Sequence, residues 1–382
     1  MNTVICGAGE VGRHVAEVFG GQGGNVTIID HNAANLAQVE DMMDVRTLRG
    51  DGTHADVLRE AGCAGADLFV AATQKDEINL LAASLAKAVG VRRCIARVHR
   101  SAYYEQRGID LKGHLGIDHL LCPEHSTAEV IAQTLRNPGA LAVESFARGA
   151  IEMQQFVVSE DAPAAGKALR DVSLPDSVRV GAVENGDGPS IPDGATVIHP
   201  HDVVTLIGEV KRFEKARRMF SSDEFRRRRV VIVGGSVLAV WLCRALQSRV
   251  FAVKLLVADR TRAEELAAKL SWVTVVRVDP ADPTAFDQER VDQADEFVAA
   301  TDDDEQNILS AARAKSMGVP NATAVLHRST YLHLVKHVGI DRAFSPRVTA
   351  VSQMMHLIDE SPVRQLATLA EGIAEVYEVR VR

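Results

Sequence analysis

Large aromatic side chains are scarce in this chain: Phe, Tyr and Trp make up 4% of its 382 residues. Ala, Val, Leu and Gly take their place, a bias that suits parallel strands buried under helices, where branched aliphatics replace rings. Positive charge is not in excess either. The net charge of -8 argues against wholesale binding to nucleic acid or to anionic lipid. No uninterrupted apolar stretch approaches the ~20 residues of a membrane-spanning helix. The opening Met-Asn-Thr-Val-Ile-Cys-Gly runs straight into a strand pattern, so no signal peptide is expected. Cys6, Cys63, Cys94, Cys122 and Cys243 form no Cys-x-x-Cys and no metal-ligand spacing. An odd number of scattered cysteines predicts reduced core thiols in a cytosol, and no metal site.

What the chain does have is self-similarity. Ala71-Ala72-Thr73-Gln74-Lys75-Asp76-Glu77-Ile78-Asn79-Leu80 returns 228 positions later as Ala299-Ala300-Thr301-Asp302-Asp303-Asp304-Glu305-Gln306-Asn307-Ile308. Leu115-Gly116-Ile117-Asp118-His119 returns 223 positions later as Val338-Gly339-Ile340-Asp341-Arg342. A nearly constant offset means one duplicated domain with small loop changes. Within the first copy, Thr3–Cys6, Val26–Ile29, Val45–Leu48, Leu68–Ala71, Ile95–Val98 and His119–Cys122 read as strands, separated by helical patterns such as Val11–Phe19 and Ile78–Val89. The second copy repeats the alternation from Val230 to Ser345. The expected fold is α/β: two doubly wound, parallel Rossmann-like sheets separated by a small α+β domain. The expected boundaries are 1–139, 140–222 and 223–382. In the middle region Ile151–Val158, Arg179–Glu184 and Ala195–Ile207 alternate like strands, followed by a helix over Lys211–Phe220 and a linker at Ser221-Ser222-Asp223. Ala370-Glu371-Gly372 matches Ala147-Arg148-Gly149 at the 223 offset, so the chain is expected to end inside the first strand of a second small domain.

Gly7-Ala8-Gly9-Glu10-Val11-Gly12 is a Gly-x-Gly-x-x-Gly that follows a strand and opens a helix, and Asp30 ends the next strand. In that context it is a dinucleotide fingerprint. Gly7 allows the tight turn, Gly9 lets the backbone approach a pyrophosphate, and Gly12 allows close helix–strand packing. The helix start at Glu10 and Val11 offers free N–H groups and a positive dipole end to phosphates. Asp30, followed by His31 rather than arginine, favours a free ribose 2′-hydroxyl: NAD or an adenine nucleotide, not NADP. Asp51, Thr73, Arg97 and His99 follow the third, fourth and fifth strands, whose carboxyl ends face the same crevice. Arg97 is the natural phosphate-neutralising group. In the second copy Gly234 opens the loop and Asp259 is expected as the ribose acid. Ser236 and Ala239 replace two glycines, Val325 stands where Arg97 does, and Asp279 keeps the acid of Asp51 without its flanking glycines. The second site is expected to be weaker or different.

These residues resemble the RCK (regulator of K⁺ conductance) domains of TrkA-type potassium uptake proteins. The resemblance rests on Gly-Ala-Gly-Glu-Val-Gly, Asp30, Gly50-Asp51-Gly52-Thr53, the Ala-Thr-x-x-Asp-Glu-x-Asn of residues 72–79, Ala96-Arg97, the Ile-Asp-x-x-x-x-Pro ending at Pro123, and the duplication itself. It implies a cytoplasmic homo-oligomer, dimer or tetramer, docked on a membrane-embedded potassium transporter subunit at the inner face of the membrane. Such a protein binds NAD, NADH, ATP or ADP and regulates potassium flux, and it is not an enzyme. The competing class is an NAD-dependent oxidoreductase, with His99 and Arg97 as the conceivable acid/base and clamp; the middle domain offers no catalytic set for it. His199-Pro200-His201 lacks a third metal ligand and reads as a loop. The basic run Arg226–Arg229 reads as a solvated linker.

Overall fold

The computed structural model describes residues 1–21, 23–105, 108–136, 140–146, 150–186, 188–221, 227–280, 282, 284–358, 363–369 and 374–379. Ser222, Asp223, Arg226 and the matched triplets at 147–149 and 370–372 lie outside them. By compactness the chain divides into two units, Met1–Ala132 with Arg227–Asp359 and Gln133–Arg226 with Glu360–Arg382.

The first unit holds two sheets of the same design. Strands β1 (Asn2–Cys6), β2 (Asn25–Asp30), β3 (Arg46–Arg49), β4 (Leu68–Ala71), β5 (Arg93–Arg97) and β6 (His119–Leu121) lie in the order β3-β2-β1-β4-β5-β6. All pairs are parallel. The chain reverses direction across the sheet between β1 and β4, and the crevice of a doubly wound fold opens at that point, beyond the strands' carboxyl ends. The connecting helices are α1 (Glu10–Gly21), α2 (Ala33–Met42), α3 (Ala55–Glu60), α4 (Asp76–Val89), α5 (Ser101–Tyr104), α6 (Leu111–His114) and α7 (Pro123–Arg136). Successive strand residues point to opposite faces. Accordingly Val4, Cys6, Phe69 and Ala71 join one core with α3 and α4, whereas Ile5, Leu68 and Val70 join another with α1 and α2. All five cysteines are free and buried, and burial is the main force that pushes the Cys6 thiol up to about 12.

The other unit carries β7 (Ala140–Phe146), β8 (Ile151–Val157), β9 (Val178–Asn185), β10 (Gly188–Ser190) and β11 (Val203–Glu209), in the antiparallel order β10-β9-β11-β8-β7, with α8 (Val210–Phe220). Two expectations need correction. Ala195–Ile207 is not one strand: His201, at φ 71, sits in a turn, His199 N–H is bonded to Asp202 Oδ2, and the strand starts only at Val203. The alternating pattern continued through a turn whose Pro200 removes a ladder donor.

The second copy repeats the first sheet as β12 (Arg228–Val233), β13 (Phe251–Val257), β14 (Thr274–Arg277), β15 (Glu296–Ala299), β16 (Asn321–Val325) and β17 (Arg342–Phe344), ordered β14-β13-β12-β15-β16-β17. Its helices are α9 (Val237–Ala245), α10 (Arg260–Lys269), α11 (Ala285–Gln288), α12 (Asp304–Ser316) and α13 (Pro346–Ile358). The end of the chain also differs from expectation. Two strands, β18 (Val363–Leu369) and β19 (Ala374–Val379), form an antiparallel hairpin at the 223 offset from β7 and β8, where one strand was expected.

The two copies meet through their last helices. Ala350, Val351 and Met354 of α13 join the core formed by Val11 and Val15 of α1 and by Leu68 and Val70, so the last helix of the second copy covers a face of the first sheet. Arg93 Nη1 donates to Ile358 O at 2.7 Å, and Ser126 bonds Gln353. In return, the His125 ring on α7 meets Trp241 on α9 edge-on, with centroids 4.6 Å apart.

Candidate nucleotide-binding site

The crevice above the first sheet is a cavity of 930 Å³, at the large end of the range for small-molecule pockets. Its floor is the glycine loop. Gly7 has φ +108, a region that favours glycine, and a Cβ there would stand 2.9 Å from Thr73 N. A Cβ on Gly12 would stand 1.8 Å from Gly7 O, so only glycine lets α1 start this close to the loop. Gly9 is different, with no atom within 4 Å of where its Cβ would be. The space over Gly9 is open, and Glu10 and Val11 line the cavity beside it.

Asp30 is 8% exposed and ties the two loops together. One carboxylate oxygen accepts Ala8 N–H at 2.7 Å and the other accepts Asn32 N–H at 2.8 Å. Asp51 lines the same cavity and accepts both the N–H and the hydroxyl of Thr53, which hold its carboxyl below the usual range. Thr73 is locked by Asn79, which is fully buried: Asn79 Oδ1 accepts the Thr73 N–H at 2.8 Å and its hydroxyl at 2.7 Å. Asn79 Nδ2 donates to Thr73 O and to Arg97 O, both at 3.0 Å. Asp76 accepts the backbone N–H groups of His99 and Arg100 at 2.9 Å each.

Arg97 reaches Glu124 at 3.7 Å, and His99 Nδ1 lies 2.9 Å from the same carboxylate oxygen. Burial pushes the Arg97 guanidinium down against the attraction of Glu124 and Asp76; an arginine starts high enough to stay charged. Burial pushes Glu124 up, but His99 and Arg97 together outweigh it and hold the carboxyl below its usual range. The buried Arg97 Nε has no hydrogen-bond partner.

The second copy is built differently at the same place. Gly234 keeps the turn at φ +124 and donates its N–H to Leu256 O, as Gly7 does to Ile29 O. That register makes Val257, not Asp259, the counterpart of Asp30. The next backbone bond agrees: Gly50 N–H donates to Asp30 O and Val278 N–H to Val257 O. Asp259 was expected as a ribose acid; it is exposed and accepts Arg262 N–H as the N-cap of α10, the part Asn32 plays for α2. The loop is also filled from within. Ser236 caps α9 and donates to Ala300 O at 2.6 Å, and Arg262 Nε donates to Gly235 O at 2.9 Å. The cavity here is 290 Å³, and Arg97, His99 and Glu124 of the first copy line it beside Ser236 and Thr301.

Glu124 and Arg347 line these cavities without a sequence signal to announce them, whereas His327, also in the lining, is the repeat counterpart of His99 at the 228 offset. Asp76 and Asn79 did carry one, since both recur in the repeat as Asp304 and Asn307, but their role as braces of the strand ends emerges only from the bonds they make.

The TrkA-N domain family matches residues 3–123 and 230–346, and the TrkA-C domain family matches residues 153–221. The Trk system potassium uptake protein TrkA of Vibrio alginolyticus is 32% identical over 99% of this chain and 83% of its own length. The TrkA homologue of Archaeoglobus fulgidus is 34% identical over 100% of this chain and 86% of its own. Among solved structures, the GsuK RCK domain superposes with a TM-score of 0.68 at 16% identity, covering 94% of this chain and 76% of that one. The GsuK channel bound to NAD gives 0.69 at 15% identity, over 94% and 63%. Two TrkA-N domains flanking a TrkA-C domain, with relatives aligned along the whole chain, place this protein in the TrkA family of Trk system potassium uptake proteins.

Proposed function

We propose that the first copy binds NAD(H) or an adenine nucleotide, and that this binding regulates potassium flux through a membrane-embedded transporter subunit. The observation that carries the reading is the contrast between the two copies. The first has an open glycine cradle with Asp30 at the end of β2; the second has its cradle occupied by its own Ser236 and Arg262 and a valine where the acid would stand. An acid at that position accepts ribose hydroxyls, and the open loop over Gly9 leaves room for phosphates at the start of α1. The GsuK channel, whose structure superposes on this fold, has been solved bound to NAD, which supports the choice of ligand. The family's name supports the choice of process.

Among the described residues no helix is long and apolar enough to cross a membrane. We place the protein in the cytoplasm, docked on the transporter subunit as a homo-oligomer. Ligand shifts flux only if it binds one arrangement of the assembly better than another. The protein does not act as an oxidoreductase on this reading: His99 and Arg97 converge on Glu124 as an ion-pair cluster. Calorimetric titration of the purified protein with NADH, ADP and ATP tests the binding, alongside an assay for redox turnover on the same sample. Absence of binding by all three, or steady oxidation of NADH, would overturn the proposal.

A further inference from the structure

Arg347 is the second residue of α13, which belongs to the second copy but packs on the first. Arg347, Ala350, Val351 and Met354 follow the i, i+3, i+4, i+7 spacing of one helix face, and the last three are buried against α1 and the first sheet. The arginine therefore stands at the head of an apolar stripe whose burial fixes its place. Its side chain is 17% exposed and lines the 930 Å³ cavity of the first copy, where Glu10 is its ion-pair partner at 3.5 Å. That distance is loose for a guanidinium–carboxylate pair, and the buried Nε has no hydrogen-bond partner.

The helix dipole disfavours a cation at this position, and Glu10 compensates only through a long contact. Arg347 lies in the first turn of α13, and its partner Glu10 is the first residue of α1. Helix starts carry partial positive charge, so an arginine there is disfavoured and an anion is favoured. The repeat makes the contrast explicit. Pro123-Glu124 opens α7 and Pro346-Arg347 opens α13, 223 positions on, so the first copy carries the residue that suits a helix start and the second carries its opposite. A partly exposed guanidinium with an idle, buried Nε–H, at a helix start and lining the same cavity as the glycine loop, is a cation held ready for phosphate oxygens.

We infer that Arg347 is a phosphate-binding residue of the first site, supplied across the duplication, and that the site is incomplete without the second copy. This rests on the nucleotide reading above and adds how the ligand is held. With nucleotide bound, Arg347 gives up part of its contact with Glu10 and donates to the phosphate chain seated over Gly9. The ligand then bridges the two copies through α13, so occupancy of one sheet is felt at the other.

The test is titration of the full chain with ADP, ATP and NADH, for wild type, Arg347→Gln and Arg347→Lys, with apo melting curves for each. Arg347→Gln is expected to weaken ADP and ATP about tenfold, equivalent to about 1.4 kcal/mol, and Arg347→Lys to recover most of the loss. The apo melting temperature of Arg347→Gln should not fall, because the group removed is poorly paired. Wild-type affinities in Arg347→Gln would overturn the inference while leaving the nucleotide reading intact. A lower apo melting temperature with no recovery by lysine would assign Arg347 a structural role and also overturn it. If the wild type binds none of the three ligands, both readings fall together.

Discussion

Asn79 and Asn307, 228 positions apart, hold their strand ends by the same four hydrogen bonds. Each accepts the N–H and the hydroxyl of a threonine, Thr73 or Thr301, and each donates to that threonine's carbonyl and to the carbonyl at the end of the fifth strand, Arg97 O or Val325 O. Both asparagines are fully buried. The scaffold of the crevice is thus kept in both copies, while the groups that could meet a ligand differ.

Replacing either asparagine by alanine removes four bonds and leaves buried backbone groups unpaired, at a cost of about 2 kcal/mol or more. Urea unfolding should show comparable losses for Asn79→Ala and Asn307→Ala. Nucleotide titration should separate them, because only Asn79→Ala loosens the wall of the larger cavity. Equal effects on affinity would mean that the second cavity matters as much as the first.

Gly9 and Gly12 should respond oppositely to the addition of one methyl group. Gly12→Ala puts Cβ into Gly7 O and should destabilise the fold by several kcal/mol. Gly9→Ala meets nothing in the free protein, so its melting temperature should match wild type while nucleotide affinity falls at least tenfold. Unchanged affinity in Gly9→Ala would remove the phosphate from this loop.

Asp30 and Asp259 divide in the same way. Asp30→Ala should abolish the tighter nucleotide binding event measured by calorimetry with NADH and with ATP. Asp259→Ala should leave that event intact and lower stability by about 1 kcal/mol through loss of a helix cap. Loss of the tighter event in Asp259→Ala, with Asp30→Ala unaffected, would reverse the assignment of the two copies.

Glu296 introduces a pH dependence. It is 2% exposed at the start of β15, with Arg342 at 3.3 Å and Arg228 at 3.8 Å, where the first copy has Leu68. Burial raises its carboxyl from 4.5 to about 7, against the pull of both arginines. The folded state then holds a proton that the unfolded state has released. This contribution is fully present below about 4.5 and is lost as pH rises through about 7. The shift corresponds to roughly 3 kcal/mol. Urea unfolding of wild type against Glu296→Gln between pH 4 and 8 should show the wild type losing this increment as pH rises and the variant not. Parallel pH profiles would show that the arginines keep Glu296 ionised.

The two Rossmann-like sheets were legible because each strand alternates or runs apolar on both faces and each helix repeats every three to four residues, patterns set by local geometry. The duplication made the reading redundant: β4 falls on the predicted residues, Leu68–Ala71, and β15 on their repeat at the 228 offset, Glu296–Ala299. The glycine loop was legible for the same reason: its requirements are steric and lie within a few residues of one another. Ala195–Ile207 misled because a polar turn can keep a strand's alternation, and only hydrogen bonding tells the two apart.

What sequence could not supply was the outcome of competition between parts distant along the chain. Asp259 looked like a ribose acid from its spacing, yet a two-residue shift in register puts Val257 at that position and turns the aspartate to capping. The second glycine loop looked merely depleted; the fold fills it with Arg262. Glu124 and Arg347 carry no sequence signal because each stands in an ordinary first turn of a helix. The sequence by itself determined the strands, the repeat and the first cradle, since these follow from backbone sterics and short-range periodicity. Tertiary structure decided which copy has an open site and which distant residues enter it, because α13 buries its apolar face on the other copy's sheet and carries Arg347 there with it.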